Sequence, residues 1–275
     1  MIRDLENFAE YEACAALQVE VWRFPEIDVV PAGHLVALAH YGGICMGAFD
    51  DSRLVGFVCG FVGRSEARVF HHSHMLAVVP EFRGARLGER LKWAQRDRVL
   101  EQGMDLINWT YDPLQALNAN LNIERLGCVV RTYIVNLYGE SVSPLHGGIP
   151  TDRFEAEWQL KSQRVLDARE SAERRDRPVP KDLPRVNLTR ETEAGLLECV
   201  ERRPDVDELS ESLYLEIPAN ITDLMAKDRE LALDWRIKTR QLFQAYFEKG
   251  YCVDGLHRRD GRVFYRLTLE EHPQD

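Results

Sequence analysis

The chain has 275 residues, with 35 Lys+Arg against 45 Asp+Glu and a formal net charge of −10. Its 45% apolar and 29% charged content is that of a globular protein, not a disordered one, and its length exceeds one average domain of about 100–200 residues. A pI near 5.4 argues against a general nucleic-acid binder, which needs a basic face, and against attraction to an anionic membrane.

Residues 8–21 read as a helix, with Ala13, Leu17 and Val21 at helical spacing, and a second helical stretch lies at 35–40. Residues 45–49 and 54–61 read as two strands joined by the hairpin turn Asp50-Asp51-Ser52-Arg53. A third strand, 72–79, is closed by Pro80. Leu87, Leu91 and Ala94 mark the buried stripe of a helix ending at Gly103. A strand at 106–111, a helix at 113–126 stopped by Gly127, and strands at 129–137 and 154–160 complete the first part.

Charge divides the chain: residues 1–160 carry −7, 161–190 carry +4 and 191–275 carry −7. The middle segment starts helix-like and ends with Pro178, Pro180 and Pro184, as a linker does. The expected domains are therefore 1–160 and 191–275, joined by 161–190. The run 191–211 is acidic and reads as a solvated face. Residues 212–269 read as a strand (213–217), Pro218, a long helix (229–249), Gly250 and two strands (251–256 and 263–269) with a hairpin at Arg259-Asp260-Gly261-Arg262. This order echoes 76–110 and suggests a degenerate half-repeat. The stripe Trp235, Leu242, Phe243, Tyr246 and Phe247 reads as core.

The N-terminal MIRDLENFAEYE is acidic and lacks the apolar core of a signal peptide, and the longest apolar stretch, 54–63, is ten residues where a membrane span needs about 20. None of the six cysteines stands in a C-x-x-C pair, and the nearest two, Cys45 and Cys59, are 14 positions apart. Zinc sites and disulfide frameworks cluster more tightly. The expectation is buried thiols, no metal and a cytoplasmic location.

The segment LAVVPEFRGARLGERLKWAQRDRVLEQG, 76–103, is a strand, a glycine-bearing turn and an amphipathic helix. Such a turn aims backbone N–H groups and a helix N-terminus at one point, which suits a phosphate group, and Arg83 and Arg86 add positive charge. A plain strand-to-helix connection is the other reading. The turn Arg83-Gly84-Ala85-Arg86-Leu87-Gly88 resembles the Q/R-x-x-G-x-G/A turn of the GNAT superfamily of acyl-CoA-dependent N-acyltransferases, with Arg86 in place of the middle glycine. The resemblance covers about residues 1–160. WTYDPLQALNANLNIERLG adds the strand, helix and leucine-glycine of the same superfamily. The set SHMLAVVP, RGARLG, WTYDPL, NLYG and PTDRFEAEW resembles a bacterial branch of that superfamily with an additional C-terminal region.

The resemblance implies a GNAT-like α/β fold, a mixed central sheet flanked by helices, with a smaller α+β C-terminal region. It implies an acyltransferase using acetyl-CoA or another acyl-CoA as co-substrate. The donors for the CoA pyrophosphate fall on Arg83, Gly84, Ala85, Arg86, Leu87, Gly88 and Glu89. The strand edge for pantetheine falls on Leu76, Ala77, Val78 and Val79, and the oxyanion donor on the N–H of Leu76 or Ala77. For the base, strand alternation puts His72, His74 and Leu76 on one face, and His74 lies near the expected thioester. A strand histidine held by a local hydrogen bond is the alternative. Asp112 reads as a helix cap or a contact to the substrate ammonium. The tyrosine of the superfamily's Y-x-x-L-G pattern is absent, Ile123 standing in its place; Tyr138 or Tyr111 could substitute as the acid, or pack in the core. Asn118 and Asn122, four apart, share a helix face and offer amides to pantetheine or substrate, or cap locally. Arg153 reads as a contact to a carboxylate-bearing acceptor or as part of a surface ion pair with Asp152, and His146 as lining the acceptor pocket.

The expected reaction moves an acetyl or succinyl group to a small primary amine, an amino acid being the leading acceptor. No nucleic-acid or membrane partner is expected. The C-terminal region would complete the sheet, cover the acceptor site or form a homodimer. A non-catalytic CoA-binding scaffold is the alternative, motivated by Arg86 and the missing tyrosine.

Overall fold

The computed structural model describes residues 1–66, 68–139, 148–170, 184–204 and 210–270. The chain forms two compact units, residues 1–109 with 159–162, and residues 110–158 with 163–275. This division cuts across the boundaries expected from charge. Pro178, Pro180, His146 and part of the acidic run 191–211 lie outside the described residues.

The first unit contains β1 (Ile2–Asp4), α1 (Phe8–Trp22), α2 (Ala32–His40), β2 (Ile44–Asp50), β3 (Arg53–Arg64), β4 (Val69–Val78), α3 (Leu87–Glu101) and most of β5 (Leu106–Tyr111). Its sheet runs β1-β2-β3-β4-β5; β4 and β5 are parallel and the other neighbours antiparallel. Asn7 starts α1 by accepting the Glu10 N–H at 3.2 Å. The β2–β3 turn is tight, with Asp51 at φ 49°. Successive residues of β3 face opposite helices. A Cβ at Gly56 would lie 3.3 Å from Leu91 of α3, whereas the Phe57 ring lies 6.2 Å from Trp22 of α1. Leu35, Phe57, Val58, Cys59, Leu91, Val99 and Ile107 form the buried core between these layers.

The β3–β4 ladder is interrupted once. Cys59 pairs with Met75, but Gly60 pairs with Ser73, so His74 is the extra residue of a β-bulge. Glycine is required opposite it: a Cβ at Gly60 would stand 2.4 Å from both the His71 ring and the His72 carbonyl oxygen.

The second unit contains the end of β5, α4 (Ala116–Ala119), a π-helical turn over 120–125, β6 (Val129–Ile134), most of β7 (Arg153–Gln159), α5 (Gln163–Glu170), β8 (Asn187–Glu191), β9 (Leu197–Arg202), β10 (Ser212–Ile217), α6 (Ile221–Lys227), α7 (Arg229–Glu248), β11 (Tyr251–Arg259) and β12 (Arg262–Leu269). Its main sheet runs β7-β6-β11-β12-β10 with antiparallel neighbours, and β8 and β9 form a separate hairpin. α7 buries Ala232, Trp235, Arg236, Thr239, Leu242, Phe243 and Tyr246 along one stripe. The Phe154 ring meets Phe243 at 4.6 Å and Tyr265 at 5.6 Å.

Three expectations change here. The single helix expected at 113–126 is one short α-turn followed by a π-helical turn, closed by the Leu126 N–H to Leu121 at 3.0 Å. The run 191–211 is not merely a solvated face, because it holds β9, with Cys199 buried and the Leu197 and Cys199 carbonyls taken by Trp235 and Lys238. The order strand, proline, helix, glycine, strand recurs at 213–256, yet β12 separates β10 from β11, whereas β4 and β5 are neighbours.

Candidate active site

β4 enters the glycine-bearing turn through a 3-10 turn, Pro80–Phe82. Gly84 and Arg86 both take the left-handed conformation, φ 85° and 58°. Arg86 thus occupies a backbone position that favours glycine. α3 begins at Leu87 with no side-chain cap, and its first intrahelical bond is Arg90 N–H to Arg86 O at 3.0 Å. The Leu87 and Gly88 N–H groups precede that bond, at the positive end of the helix dipole. A Cβ at Gly84 would meet nothing within 4 Å, and one at Gly88 would only touch Leu76 and Val78, at 3.7 and 3.8 Å. Arg83, Gly84, Ala85 and Arg86 are exposed, while the Leu87 and Glu89 side chains are buried.

The charge of the turn differs from expectation. Arg86 donates to Glu89 through two bonds, 2.9 and 2.7 Å, and this pairing holds its guanidinium above the usual pKa. Its charge is answered inside the turn. Arg83 donates its Nε–H to Val78 O at 3.2 Å and keeps an exposed guanidinium.

On β4, Val79 N–H bonds to Val55 O at 3.0 Å. Antiparallel pairs alternate between hydrogen-bonded and non-hydrogen-bonded classes, so Val79, Ala77 and Met75 turn their backbone groups toward β3. Leu76 and Val78 turn theirs toward the edge that β4 shares with β5. The described β4–β5 pairs are His71↔Ile107 and His72↔Asn108, at the start of β4. Of the two expected oxyanion donors, the Leu76 N–H is therefore the one that faces the β5 edge.

His72 and His74 share a face, as alternation predicts: their rings lie 6.3 Å apart and 5.1 and 5.9 Å from Phe61. Leu76 does not join them. The bulge at His74 shifts the alternation, so Leu76 and Val78 lie on the α3 face with His71 and Ser73. His74 is exposed as a residue while its ring leans on Phe61 and His72. Its pKa is lowered, first by the partial desolvation of the ring against these neighbours and then by His72 and His34. His72 Nδ1 lies 2.9 Å from Asn108 Oδ1. Neither Phe61, His34 nor Asn108 was expected at the site; the bulge alone signals them, and a bulge is read from pairing rather than composition.

A buried polar cluster also lies between β4 and α3. Lys92 donates to Ser73 Oγ and Gln95 Oε1, both at 2.8 Å, and its Nζ lies 3.7 Å over the Trp109 ring. Gln95 Nε2 donates to His71 Nε2 at 3.1 Å, which leaves the His71 proton on Nδ1. Burial first, and then Lys92, pushes the His71 pKa down to about 3.

The remaining candidates lie in the second unit. Asp112 caps: its Oδ1 accepts the Leu114 N–H at 2.8 Å and its Oδ2 accepts from Arg236 Nη2 at 2.6 Å. Tyr111 is a core residue, 5.7 Å from Phe154, and burial raises its pKa. Tyr138 is 53% exposed, so it is not a core tyrosine, and its hydroxyl lies 3.3 Å from Thr110 Oγ1. The Arg153 guanidinium lies 5.0 Å over the Tyr138 ring. The expected surface pair of Arg153 with Asp152 is overturned: Asp152 is fully buried and takes a bidentate grip from Arg240, at 2.8 and 2.9 Å, plus the Tyr133 hydroxyl at 2.7 Å. Asn118 is exposed and Asn122 buried, because the π-helical turn breaks the expected four-residue repeat. Among the described residues, no group of three or more His, Cys, Asp or Glu is placed to hold a metal ion, and no helix is long and apolar enough to cross a membrane.

Residues 5–121 match the family model described as the acetyltransferase (GNAT) family. No curated protein matches the chain. Among solved structures, the chain is similar to an aminoglycoside 6'-acetyltransferase type Ii (18% identity, 59% of this chain and 99% of that one, TM-score 0.48). It is also similar to the ribosomal-protein-S18-alanine N-acetyltransferase of Escherichia coli (15% identity, 59% and 94%, TM-score 0.46). A third likeness is to a Salmonella typhimurium protein solved with its cofactor acetyl-CoA (17% identity, 59% and 95%, TM-score 0.47).

Proposed function

Residues 5–121 belong to the GNAT acetyltransferase family, and from this premise we propose that the protein is a cytoplasmic N-acyltransferase that moves an acyl group from CoA to a small primary amine. Acetyl is the default group and succinyl the alternative; an amino acid is the leading acceptor. The observation that carries the reading is the backbone of Leu76 and Val78 turned toward the β5 edge, with the uncapped start of α3 following in the chain.

Acyl-CoA supplies a thioester, whose acyl C–S bond breaks as the C–N bond forms. The Leu87 and Gly88 N–H groups and exposed Arg83 hold the pyrophosphate. Leu76 and Val78 pair with pantetheine, and the Leu76 N–H faces the developing oxyanion. His74, neutral at pH 7, takes a proton from the acceptor's ammonium, and the free amine then attacks the thioester. Solvent water returns a proton to the thiolate. Asp112 is left out of the proton chain, since both its oxygens are engaged.

The test is thiol release from acetyl-CoA and succinyl-CoA with a panel of primary amines. Release with one class of amine, lost in His74→Gln, supports the reading. CoA binding with no release by any amine favours a CoA-binding scaffold instead.

A further inference from the structure

β3 carries two phenylalanines on the face that α1 covers, and only one of them is sealed. The Phe57 ring lies 6.2 Å from Trp22 and is 1% exposed, whereas Phe61, four residues on and on the same face, is 41% exposed. Phe61 pairs with His72 across the ladder, and the two rings lie 5.1 Å apart. The bulge adds a third ring. Met75 stands opposite Cys59 in the core, so His74 stays exposed, with its ring 5.9 Å from Phe61. His72 is held in place: Asn108 Oδ1 can only accept, and the His72 Nδ1–H donates to it at 2.9 Å. Phe61, His72 and His74 thus form one wall of rings, all within the first unit.

The wall offers ring faces and no negative charge. The side-chain charges that bear on His74 are those of His72 and of exposed His34 on α2, and among the described residues no carboxylate joins them. A polyamine would bring further ammonium groups here with nothing to answer them. Flat faces favour a flat partner, because aromatic pairs gain from offset or edge-to-face contact that a saturated ring of similar size lacks. We propose that the acceptor is a primary amine carrying one planar aromatic ring, which lies against Phe61 and the imidazoles while its nitrogen reaches His74. For the transfer step this rests on the acyltransferase reading of the site; the ring contact itself is read by binding alone.

The test matches each aromatic probe to its saturated counterpart: 2-phenylethylamine against 2-cyclohexylethylamine, and phenylalanine against cyclohexylalanine, with spermidine as the polyamine. Thiol release from acetyl-CoA and succinyl-CoA by the full chain gives kcat/KM, and isothermal titration in the presence of CoA gives Kd. The aromatic member of at least one pair should be preferred about fivefold, in rate or in binding. Phe61→Leu should bring that ratio to about one, and a ratio within one preparation does not depend on how much of the variant folds. If no amine releases thiol while the aromatic probe still binds with that preference, the acyl-transfer reading falls and the ring site stands. The proposal is overturned if the saturated probes do as well in both pairs, if spermidine is the best acceptor, if no probe reacts or binds, or if Phe61→Leu keeps the wild-type preference.

Discussion

Arg86 and Glu89 are joined across the first turn of α3 by two hydrogen bonds, at the point where the chain passes from β4 into the helix. A left-handed arginine is thereby held in a glycine position, and a buried carboxylate is kept neutralised beside the expected pyrophosphate site.

Removing that cover should be felt in CoA affinity. Arg86→Gly relaxes the backbone but exposes the anion site to Glu89, and should weaken CoA by roughly 3–10-fold, about 1 kcal/mol. Arg86→Gly with Glu89→Gln should restore it. Isothermal titration reads both, and equal affinity in wild type and the single variant would dismiss the electrostatic role of Glu89.

His74 as base predicts a pH profile. Its neutral form is the active one, and its pKa is lowered from the usual 6.5. Activity should therefore fall with acid through a limb centred below pH 6.5. His74→Gln should lower kcat/KM by roughly 10²–10⁴-fold and remove that limb. An unchanged limb in the variant would assign it to another group.

His71 makes stability depend on pH in the same direction for a different reason. Its pKa is about 3 when folded and near 6.5 when unfolded, so the unfolded chain binds the proton more readily. Its contribution is complete above pH 6.5 and is lost as pH falls toward 3, on the order of 3 kcal/mol between pH 7 and pH 4. Urea unfolding across that range should show a shallower loss in His71→Gln, which keeps an acceptor for Gln95.

Gly60→Ala should destabilise the first unit by about 1–3 kcal/mol, because its Cβ would meet the His72 carbonyl, which is backbone and cannot turn aside. The midpoint of urea unfolding measures it.

Legibility of the sequence follows from where the signal resides. β5 was read at its observed bounds because an apolar run is fenced by Gly103 and Pro113. The long helix α7 was legible from its aromatic stripe, but Arg236 within that stripe was passed over; a charged residue at a core position was the available clue. β8 and β9 were missed because glutamates and arginines outnumber apolar residues in them. The face of Leu76 was misassigned because alternation assumes an unbroken ladder, and the bulge depends on the space Gly60 leaves in another strand. Likewise, the π-helical turn separates Asn118 from Asn122 through a hydrogen-bond register that side-chain identities do not encode.

The bulge also makes position 74 unlike its neighbours in what change it tolerates. Replacing His74 alters a ring and leaves the strand's phase intact. Excising it would bring β4 into continuous register with β3, and one of its halves would have to turn inside out. Either the buried polar residues His71 and Ser73 would leave α3, or Leu76 and Val78 would rotate away from the helix start. Length at this position is as much a determinant of the site as chemistry: a homologous chain one residue shorter here would need a different wall.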